Sequence, residues 1–439
     1  MVQPFDERRT SARGREEDGP PAAARAGPGS VRAVTGRPAL RTDRLRGRAV
    51  TRDPAQQHRA ASPLELLFDL TFVVAVSRAA AALHHEIATD HIAEGIVGFG
   101  TVFFAIWWAW MNFTWFASAH DSDDVAHRLL TFVQMAGVLM LAAGVTRAVE
   151  DQDFLVVTFG YTLMRLALVA AWLRVARDQP AGRARALRYA VGVGVLQLLW
   201  FGRLVLPEKL AIAGFLVLAV CEMSVPLWAE RAADRPIFHP VHIEERYGLF
   251  TIIVLGESIL SATVGFQTVL DDTGLSAELL AVGLGGLVLA FAAWWLYFDH
   301  PGHLTPSPDV AFRWGYAHVV IFAALAATGA GVHVATEAVA GRGDARVAAL
   351  AVAIPLAGFV LGLVLVMAIT GTPLFDERVW PKLAGAVAML AIGLTVPVGL
   401  AVVGCAAVVV VLTVSMVLSV PEPVAAGAAD EAAAVSGSA

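Results

Sequence analysis

Long apolar windows alternate with short polar breaks along most of this chain. A helix that crosses about 30 Å of hydrocarbon at about 1.5 Å per residue needs roughly 20 mostly apolar residues. Twelve such windows are predicted, at 64–84, 93–118, 127–149, 154–177, 186–206, 209–230, 245–266, 278–298, 312–339, 346–370, 382–400 and 402–420. Only a short break around Pro397 separates the last two. The pattern predicts an all-α, polytopic transmembrane helix bundle with about 12 spans.

The composition supports a membrane protein. The sequence is 57% apolar and only 16% charged, and its mean hydropathy is +0.64. A soluble chain of 439 residues would not bury that much apolar surface. The two cysteines, Cys221 and Cys405, both lie in apolar runs, so a disulfide framework and a cysteine-based zinc site are not supported.

The two ends of the chain differ from its centre. Residues 1–60 are rich in Arg, Ala, Pro and Gly and lack the apolar run of a cleavable signal peptide, so they are predicted to form a disordered basic cytoplasmic arm. Residues 421–439 are predicted to form a disordered acidic tail. Arg and Lys are enriched in the breaks that lie on the side of the arm, after the fourth, sixth and tenth windows. The positive-inside rule therefore predicts that both termini are cytoplasmic.

The two halves of the transmembrane region, 61–230 and 231–420, echo each other. Each half opens on a glutamate motif, at Glu65 and Glu245, and carries a Trp-Trp pair near the end of its second window. An even number of spans per half gives both halves the same orientation, so we predict two six-helix parallel repeats related by an axis along the membrane normal. The alternative is a bundle without a repeat, in which aromatic belts and interfacial charges simply recur.

Polar side chains inside the windows are the candidates for function, because a charge at the bilayer centre costs about 2.5–3.5 kcal/mol on insertion scales. Counting along each window places one group roughly 8–12 Å from the cytoplasmic end and another near the middle. The first group is Asp69, Asn112, Gln134, Glu222 and His318, and the second is Arg78, Arg165 and Glu257. We expect Glu257, between Gly256 and Ser258, to meet Arg165 or Arg78, or to face a water-filled cavity. The alternative is that these charges only hold the bundle in register.

The segment 107–116 is dense in aromatic side chains at a predicted membrane boundary. This is typical of an interfacial belt, and a stacking surface for a ligand is the alternative. Asp123 and Asp124 follow in a short loop and precede a helical run, so they are predicted to cap the third helix.

Metal and enzyme chemistry has little support in the sequence. His84, His85 and His91 occur together, but they lack the helical spacing of a zinc site. No Walker loop, G-x-S-x-G elbow, H-E-x-x-H motif or Rossmann glycine pattern is present. We therefore predict no bound metal, no cofactor and no enzymatic activity.

Several motifs occur in the same order as in a known family. They are LELLFDLTFVVAV at 64–76, WWAW at 107–110 leading to Asp123 and Asp124, RLL at 128–130 with FVQM at 132–135, ERYGLF at 245–250 and LGES at 255–258. In these motifs residues 61–420 resemble the bacterial low-temperature-requirement A family. The resemblance implies a polytopic bacterial inner-membrane protein linked to growth in the cold, and it supplies no biochemical activity. The positions that carry it are Glu65, Asp69, Asp123, Asp124, Arg128, Gln134, Glu245, Arg246, Glu257 and Ser258, of which Asp123, Asp124, Arg128, Glu245 and Arg246 form a cytoplasmic-face motif. The Arg-rich arm is not part of the family pattern.

A second similarity concerns FDLTFV at 68–73, which is similar to the Phe-Ser-Asp signature of a potassium-channel family with two six-span repeats. Here the serine is missing, and the second half has GLF at 248–250 instead.

These observations favour a secondary transporter or ion-permeation protein whose intramembrane carboxylates line its pathway. The alternative is a non-transporting membrane factor that senses lipid or supports assembly during growth in the cold. The expected partners are membrane lipids, an unidentified small solute or ion and possible second copies of the chain in a homodimer, with no nucleic acid.

Overall fold

The computed structural model describes residues 50–51, 61–121, 124–232, 237–299, 304 and 307–419. Its described residues form twelve α-helices, which confirms the predicted all-α class. They are α1 (Pro63–Ala88), α2 (Ile92–Ala119), α3 (Val125–Glu150), α4 (Leu155–Asp178), α5 (Arg183–Arg203), α6 (Glu208–Glu230), α7 (Pro240–Thr273), α8 (Ala277–Phe298), α9 (Pro308–Val339), α10 (Ala345–Ile369), α11 (Trp380–Thr395) and α12 (Val398–Leu418). A 3-10 turn, Pro180–Gly182, precedes α5, and two-residue strands β1 (Val50–Thr51) and β2 (His120–Asp121) pair antiparallel. The predicted arm and tail lie outside the described residues, apart from β1.

Among the described helices, ten are long and apolar enough to cross a membrane, so the chain is a multi-pass membrane protein. The two exceptions are α5 and α11. The first and last turns of α5 carry charged side chains, Arg183, Arg185 and Arg203 among them. The helix α11 has only 16 residues and ends just before Pro397, which is the predicted break.

Local chemistry sets the helix ends. Ser62 and Glu65 form a reciprocal capping box at the start of α1, in which the Ser62 amide donates to the Glu65 carboxylate at 2.6 Å. Asp124 caps α3 by accepting a hydrogen bond from the His127 amide at 2.9 Å, as predicted. Asp123, the other predicted cap, lies outside the described residues.

The helix α1 is central to the packing, since it contacts α2, α3, α7 and α9. Corresponding contacts recur in the two halves: α1 packs on α3 as α7 packs on α9, and α3 packs on α4 as α9 packs on α10. The chain α4–α5–α6 likewise has a counterpart in α10–α11–α12. This pattern is compatible with the predicted six-helix repeat, which stays a prediction.

Close approach between helices depends on glycine at a few positions. A Cβ atom on Gly331 of α9 would collide with the backbone carbonyl of Ala351 on α10. A Cβ on Gly137 of α3 would lie 2.7 Å from the carbonyl oxygen of Gly160 on α4. Small residues let the backbones of membrane helices meet in this way and gain van der Waals contact.

Candidate functional site

Two clusters of buried polar side chains, each built around an arginine, lie within the described helices. The first, here named the Glu222 centre, contains Glu222 of α6, Arg165 of α4, Trp108 of α2, and Gln197 and Trp200 of α5. The second, the Arg246 cluster, contains Arg246 and His242 of α7, Glu65 and Asp69 of α1, and Trp110 and Thr114 of α2.

The carboxylate of Glu222 is surrounded by hydrogen-bond donors. Arg165 donates from Nη2 to Oε2. The indole of Trp108 donates to Oε2 at 2.8 Å, and the indole of Trp200 donates to Oε1 at 3.1 Å. The Gln197 amide also donates to Oε1, at 3.2 Å. The side chains of Arg165 and Glu222 are 1% and 0% exposed, so the ion pair is completely removed from the surface.

The ion pair with Glu222 uses only one of the three nitrogen atoms of the Arg165 guanidinium as a hydrogen-bond donor. Its Nε and Nη1 atoms have no hydrogen-bond partner among the described residues. The face of the guanidinium lies over the Tyr161 ring, with Cζ 5.2 Å from the ring centre. A buried charge with spare donors has capacity for water or for a small solute.

Cavities approach the Glu222 centre from both ends of α2. Near the start of α2 a cavity of about 660 Å³ is lined by Glu94, Phe154 and Arg203, among others. A narrower cavity shares Phe154 and Arg203 and continues to Trp200, which belongs to the centre, and to Tyr161, whose ring lies against Arg165.

A third cavity lies at the other end of α2. It is lined by Asn112 and Trp115 of α2, Trp172 of α4 and Glu230 of α6. The amide of Asn112 donates to the backbone carbonyl of Trp108 at 2.8 Å, one step from Glu222. Along α2, α4 and α6 the Glu222 centre therefore lies between this cavity, which none of its five residues lines, and the narrower cavity, which Trp200 lines.

The Arg246 cluster joins the first turns of α1 and α7 to the end of α2. Arg246 Nη2 donates to Asp69 Oδ1 at 2.5 Å, and the Trp110 indole donates to the same oxygen at 2.7 Å. The Glu65 carboxylate lies 3.8 Å from Arg246 Nη1 and 3.6 Å from His242 Nε2. One guanidinium thus serves two carboxylates, all of them buried.

The predicted pairing of Glu257 with Arg165 or Arg78 is wrong. Arg165 binds Glu222, and Arg78 is exposed on the outside of the bundle. The buried carboxyl of Glu257 lies beside the Ser77 side chain of α1, and its Oε2 has no hydrogen-bond partner among the described residues. Consecutive helical residues are about 100° apart. Because Ser77 faces α7, its neighbour Arg78 points outward.

The predicted site residues Ser258, His318 and Gln134 make contacts that do not involve the Glu257 carboxyl. Ser258 donates to the backbone carbonyl of Leu325 at 2.9 Å and so joins α7 to α9. His318 is buried against the rings of Tyr247 and Trp314, and Gln134 is buried on α3.

The residues of the predicted cytoplasmic-face motif take part in several separate contacts. Asp124 accepts two hydrogen bonds from Arg174, at 2.8 and 2.5 Å, and Glu245 accepts one from the Ala61 amide at 3.2 Å. Arg246 belongs to the buried cluster, whereas Arg128 is exposed.

Sequence reasoning missed the residues that satisfy the carboxylates. Trp107, Trp108 and Trp110 are each 0% exposed, so the predicted interfacial belt is wrong for them. A buried indole N–H needs an acceptor, and two of these indoles find it in Glu222 and Asp69. That requirement, together with intramembrane acids, is the signal that would have found them.

Residues 60–420 match the family described as "Bacterial low temperature requirement A protein (LtrA)". This match covers most of the chain and all of both clusters. The chain belongs to the LtrA family. Over 299 residues it is 25% identical to "Uncharacterized protein RA0937" of Rhizobium meliloti (strain 1021), an alignment that covers 64% of this chain and 70% of the relative. No solved structure matches the chain. Membership of the LtrA family therefore gives the class of protein, and the chemistry has to be argued from the site.

Proposed function

We propose that this LtrA protein is a secondary transporter or ion-permeation protein of the bacterial inner membrane, with both termini in the cytoplasm and no enzymatic activity. The observation that carries the proposal is the position of the Glu222 centre. It is a buried ion pair between cavities that approach it from the two ends of α2.

The lining of the cavities is suited to a small polar or charged solute. Such a solute would first meet Arg203 and Phe154, and then the rings of Tyr161 and Trp200. Beyond them lies Arg165, whose spare donors give the solute a charged partner at the constriction. Ionisable residues inside membrane bundles typically mark such pathways. Separation of Arg165 from Glu222 would then connect the two sides.

The proposed coupling position is Glu257. A lone carboxyl in a low-dielectric interior is held either as the neutral acid or with a bound cation, because an isolated charge there is very unfavourable. No cationic side chain of the described residues pairs with Glu257, whereas Glu222 and Asp69 each have an arginine. Glu257 is therefore the carboxyl that is free to take up and release a proton.

Cysteine labelling tests the cavity part of the proposal. In a background that lacks Cys221 and Cys405, Thr158→Cys places a thiol in the narrower cavity, and Leu166→Cys places one on the outer face of the same helix. A membrane-impermeant thiol reagent should label Thr158→Cys in reconstituted vesicles. It should not label Leu166→Cys, which faces lipid. Absence of labelling at Thr158→Cys from either side would contradict a water-filled approach to the centre.

Flux measurements test the coupling part. Protein-containing vesicles with a trapped pH dye should show K⁺- or Na⁺-driven proton movement above that of protein-free vesicles. Glu257→Gln should abolish it, while Glu278→Gln, an exposed glutamate at the start of α8, should not. Equal flux for the parent and Glu257→Gln would remove Glu257 from the mechanism.

One observation favours the alternative of a non-transporting membrane factor. The arginines of the Glu222 centre and of the Arg246 cluster already have carboxylate partners within the bundle, as expected if the charges only hold helices in register. That alternative predicts an unlabelled Thr158→Cys and no flux above that of protein-free vesicles.

A further inference from the structure

A group of three potential metal ligands lies at the end of α1 that is opposite to the Arg246 cluster. There His84 of α1 meets His333 and Glu337 of α9. We propose that these three side chains bind a divalent transition metal of the zinc class. This site lies outside the Glu222 centre and does not depend on the proposed transport function.

The three potential ligands are already close together. One ligand atom from each side chain can be chosen so that all three atoms lie within 4.8 Å of one another. His84 Nε2 lies 3.1 Å from Glu337 Oε2. The imidazoles of His84 and His333 are stacked, with ring centres 3.7 Å apart and planes inclined by 11°. His333 and Glu337 are one helical turn apart, so α9 presents both on the same face.

The donor set fits zinc better than the common hard cations. Zn²⁺ takes imidazole nitrogen at about 2.0–2.1 Å and carboxylate oxygen at about 2.0–2.2 Å, whereas Ca²⁺ and Mg²⁺ prefer oxygen ligands alone. Two histidines and one glutamate supply three ligands and leave a fourth position for water or another group. Binding requires the stacked rings to turn so that their nitrogen lone pairs converge on one ion.

Access and scaffolding also support a site. All three side chains are half-buried, so an ion can reach them from solvent while the helices restrict their movement. The backbone of Gly265 on α7 lies directly beside the His333 ring. A Cβ there would collide with the ring and would lie 2.5 Å from Thr336 Oγ1. The helix α7 therefore leaves space for the imidazole only because residue 265 is glycine.

A neighbouring positive charge is engaged elsewhere. Arg342, which follows α9, pairs with Asp272 at 2.6 Å. Its backbone amide donates to the Glu337 carbonyl at 3.0 Å, and the Glu337 carboxylate has its contact with His84, another ligand of the proposed site.

The sequence predicted no metal site because the ligands are far apart along the chain. His84 and Glu337 are separated by 253 residues, and only the packing of α1 against α9 joins them. The adjacent His85 belongs to a different group, with Glu86 and Glu150, in which His85 and Glu150 are exposed. That second group provides an internal control.

Zinc titration of the purified protein tests the proposal. The full chain is prepared with an affinity tag that contains no histidine, stripped with a chelator, and titrated with Zn²⁺ in competition with a chromophoric zinc indicator. We expect one high-affinity site per chain. His333→Ala and Glu337→Gln should each weaken it by roughly tenfold or more, whereas His85→Ala should leave the affinity unchanged.

The Glu337→Gln variant distinguishes the loss of a ligand from misfolding as the cause of weaker binding, because glutamine keeps the shape of the Glu337 side chain and removes only its negative charge. Elution volume and helical circular dichroism of each variant should match those of the parent. The proposal is overturned if the parent takes up no zinc, if Ca²⁺ or Mg²⁺ competes as well as Zn²⁺, or if His85→Ala abolishes binding as strongly as His333→Ala does.

Discussion

Replacing Arg165 by Met removes the arginine that pairs with Glu222 and leaves a carboxylate with no cationic partner in a fully buried position. Removing one member of a buried ion pair typically costs about 3–5 kcal/mol. Three donors remain on Glu222, namely the indoles of Trp108 and Trp200 and the amide of Gln197. These bonds offset part of the loss, so we expect a decrease of about 3 kcal/mol in the free energy of unfolding, at the low end of that range.

The double variant Arg165→Met/Glu222→Gln isolates the charge interaction. It has no unpaired charge, but glutamine offers one acceptor oxygen where glutamate offers two. One of the Trp108 and Trp200 indoles therefore loses its acceptor, at a cost of about 1–3 kcal/mol. The double variant should thus be less destabilised than the sum of the two single variants by at least about 1 kcal/mol.

The assay is reversible denaturation in mixed micelles, followed by circular dichroism, for the parent, both single variants and the double variant. Additive single effects, or a cost below about 1 kcal/mol for Arg165→Met, would refute the argument that this pair is electrostatically coupled. Flux through the folded double variant adds a separate result. If the centre is only structural, the stable double variant should behave in vesicles as the parent does.

Three further predictions concern other parts of the molecule. Gly331→Ala should destabilise the protein by about 1–3 kcal/mol in the same denaturation assay, because the new methyl group collides with the Ala351 carbonyl and forces α9 away from α10. Asp69→Asn should cost about 1–3 kcal/mol, because it removes the anionic partner 2.5 Å from Arg246 while Glu65, 3.8 Å from the same guanidinium, remains as a second anion; an unchanged midpoint would show that the Arg246 cluster contributes no net stability. Burial lowers the pKa of His120, outside the spanning helices, to about 4, below the value of about 6.5 of an unfolded histidine. Stability that is present above pH 6.5 should therefore be lost as the pH falls towards 4, and thermal unfolding of His120→Phe should lack this component.

Helix positions could be predicted from the sequence because they depend on local physics. In lipid, a helix must satisfy its backbone hydrogen bonds internally, so a spanning helix appears in the sequence as one continuous window of apolar residues. The cap at Asp124 was predictable for the same reason, since its acceptor and the His127 amide are three residues apart. The break before Pro397 followed from the missing N–H of proline.

The partners of the buried charges could not be predicted, because counting residues gives only the depth of a side chain along its helix and not its direction around the helix axis. The direction around the helix decides the partner, and neighbouring residues differ by about 100°. Ser77 and Arg78 differ by one position, yet Ser77 contacts Glu257 while Arg78 is exposed. For Arg165, the choice between Glu257 and Glu222 depended on which helices are adjacent. The helix α4 packs on α5, and α5 packs on α6, so Arg165 of α4 pairs with Glu222 of α6 and not with Glu257 of α7.

Polar contacts of α1 occur at three levels along its length, and their spacing limits how they can influence one another. Asp69 contacts Arg246, Ser77 contacts Glu257, and His84 belongs to the proposed metal site. At about 1.5 Å per residue the levels are about 12 and 10.5 Å apart, well beyond the roughly 3 Å of a direct hydrogen bond. Rotation of one side chain therefore changes one level only, whereas sliding of α1 against α7 and α9 changes all three. Zinc affinity measured in Glu257→Gln distinguishes these cases: an unchanged affinity means that the levels act independently, and a changed affinity means that α1 moves as a unit.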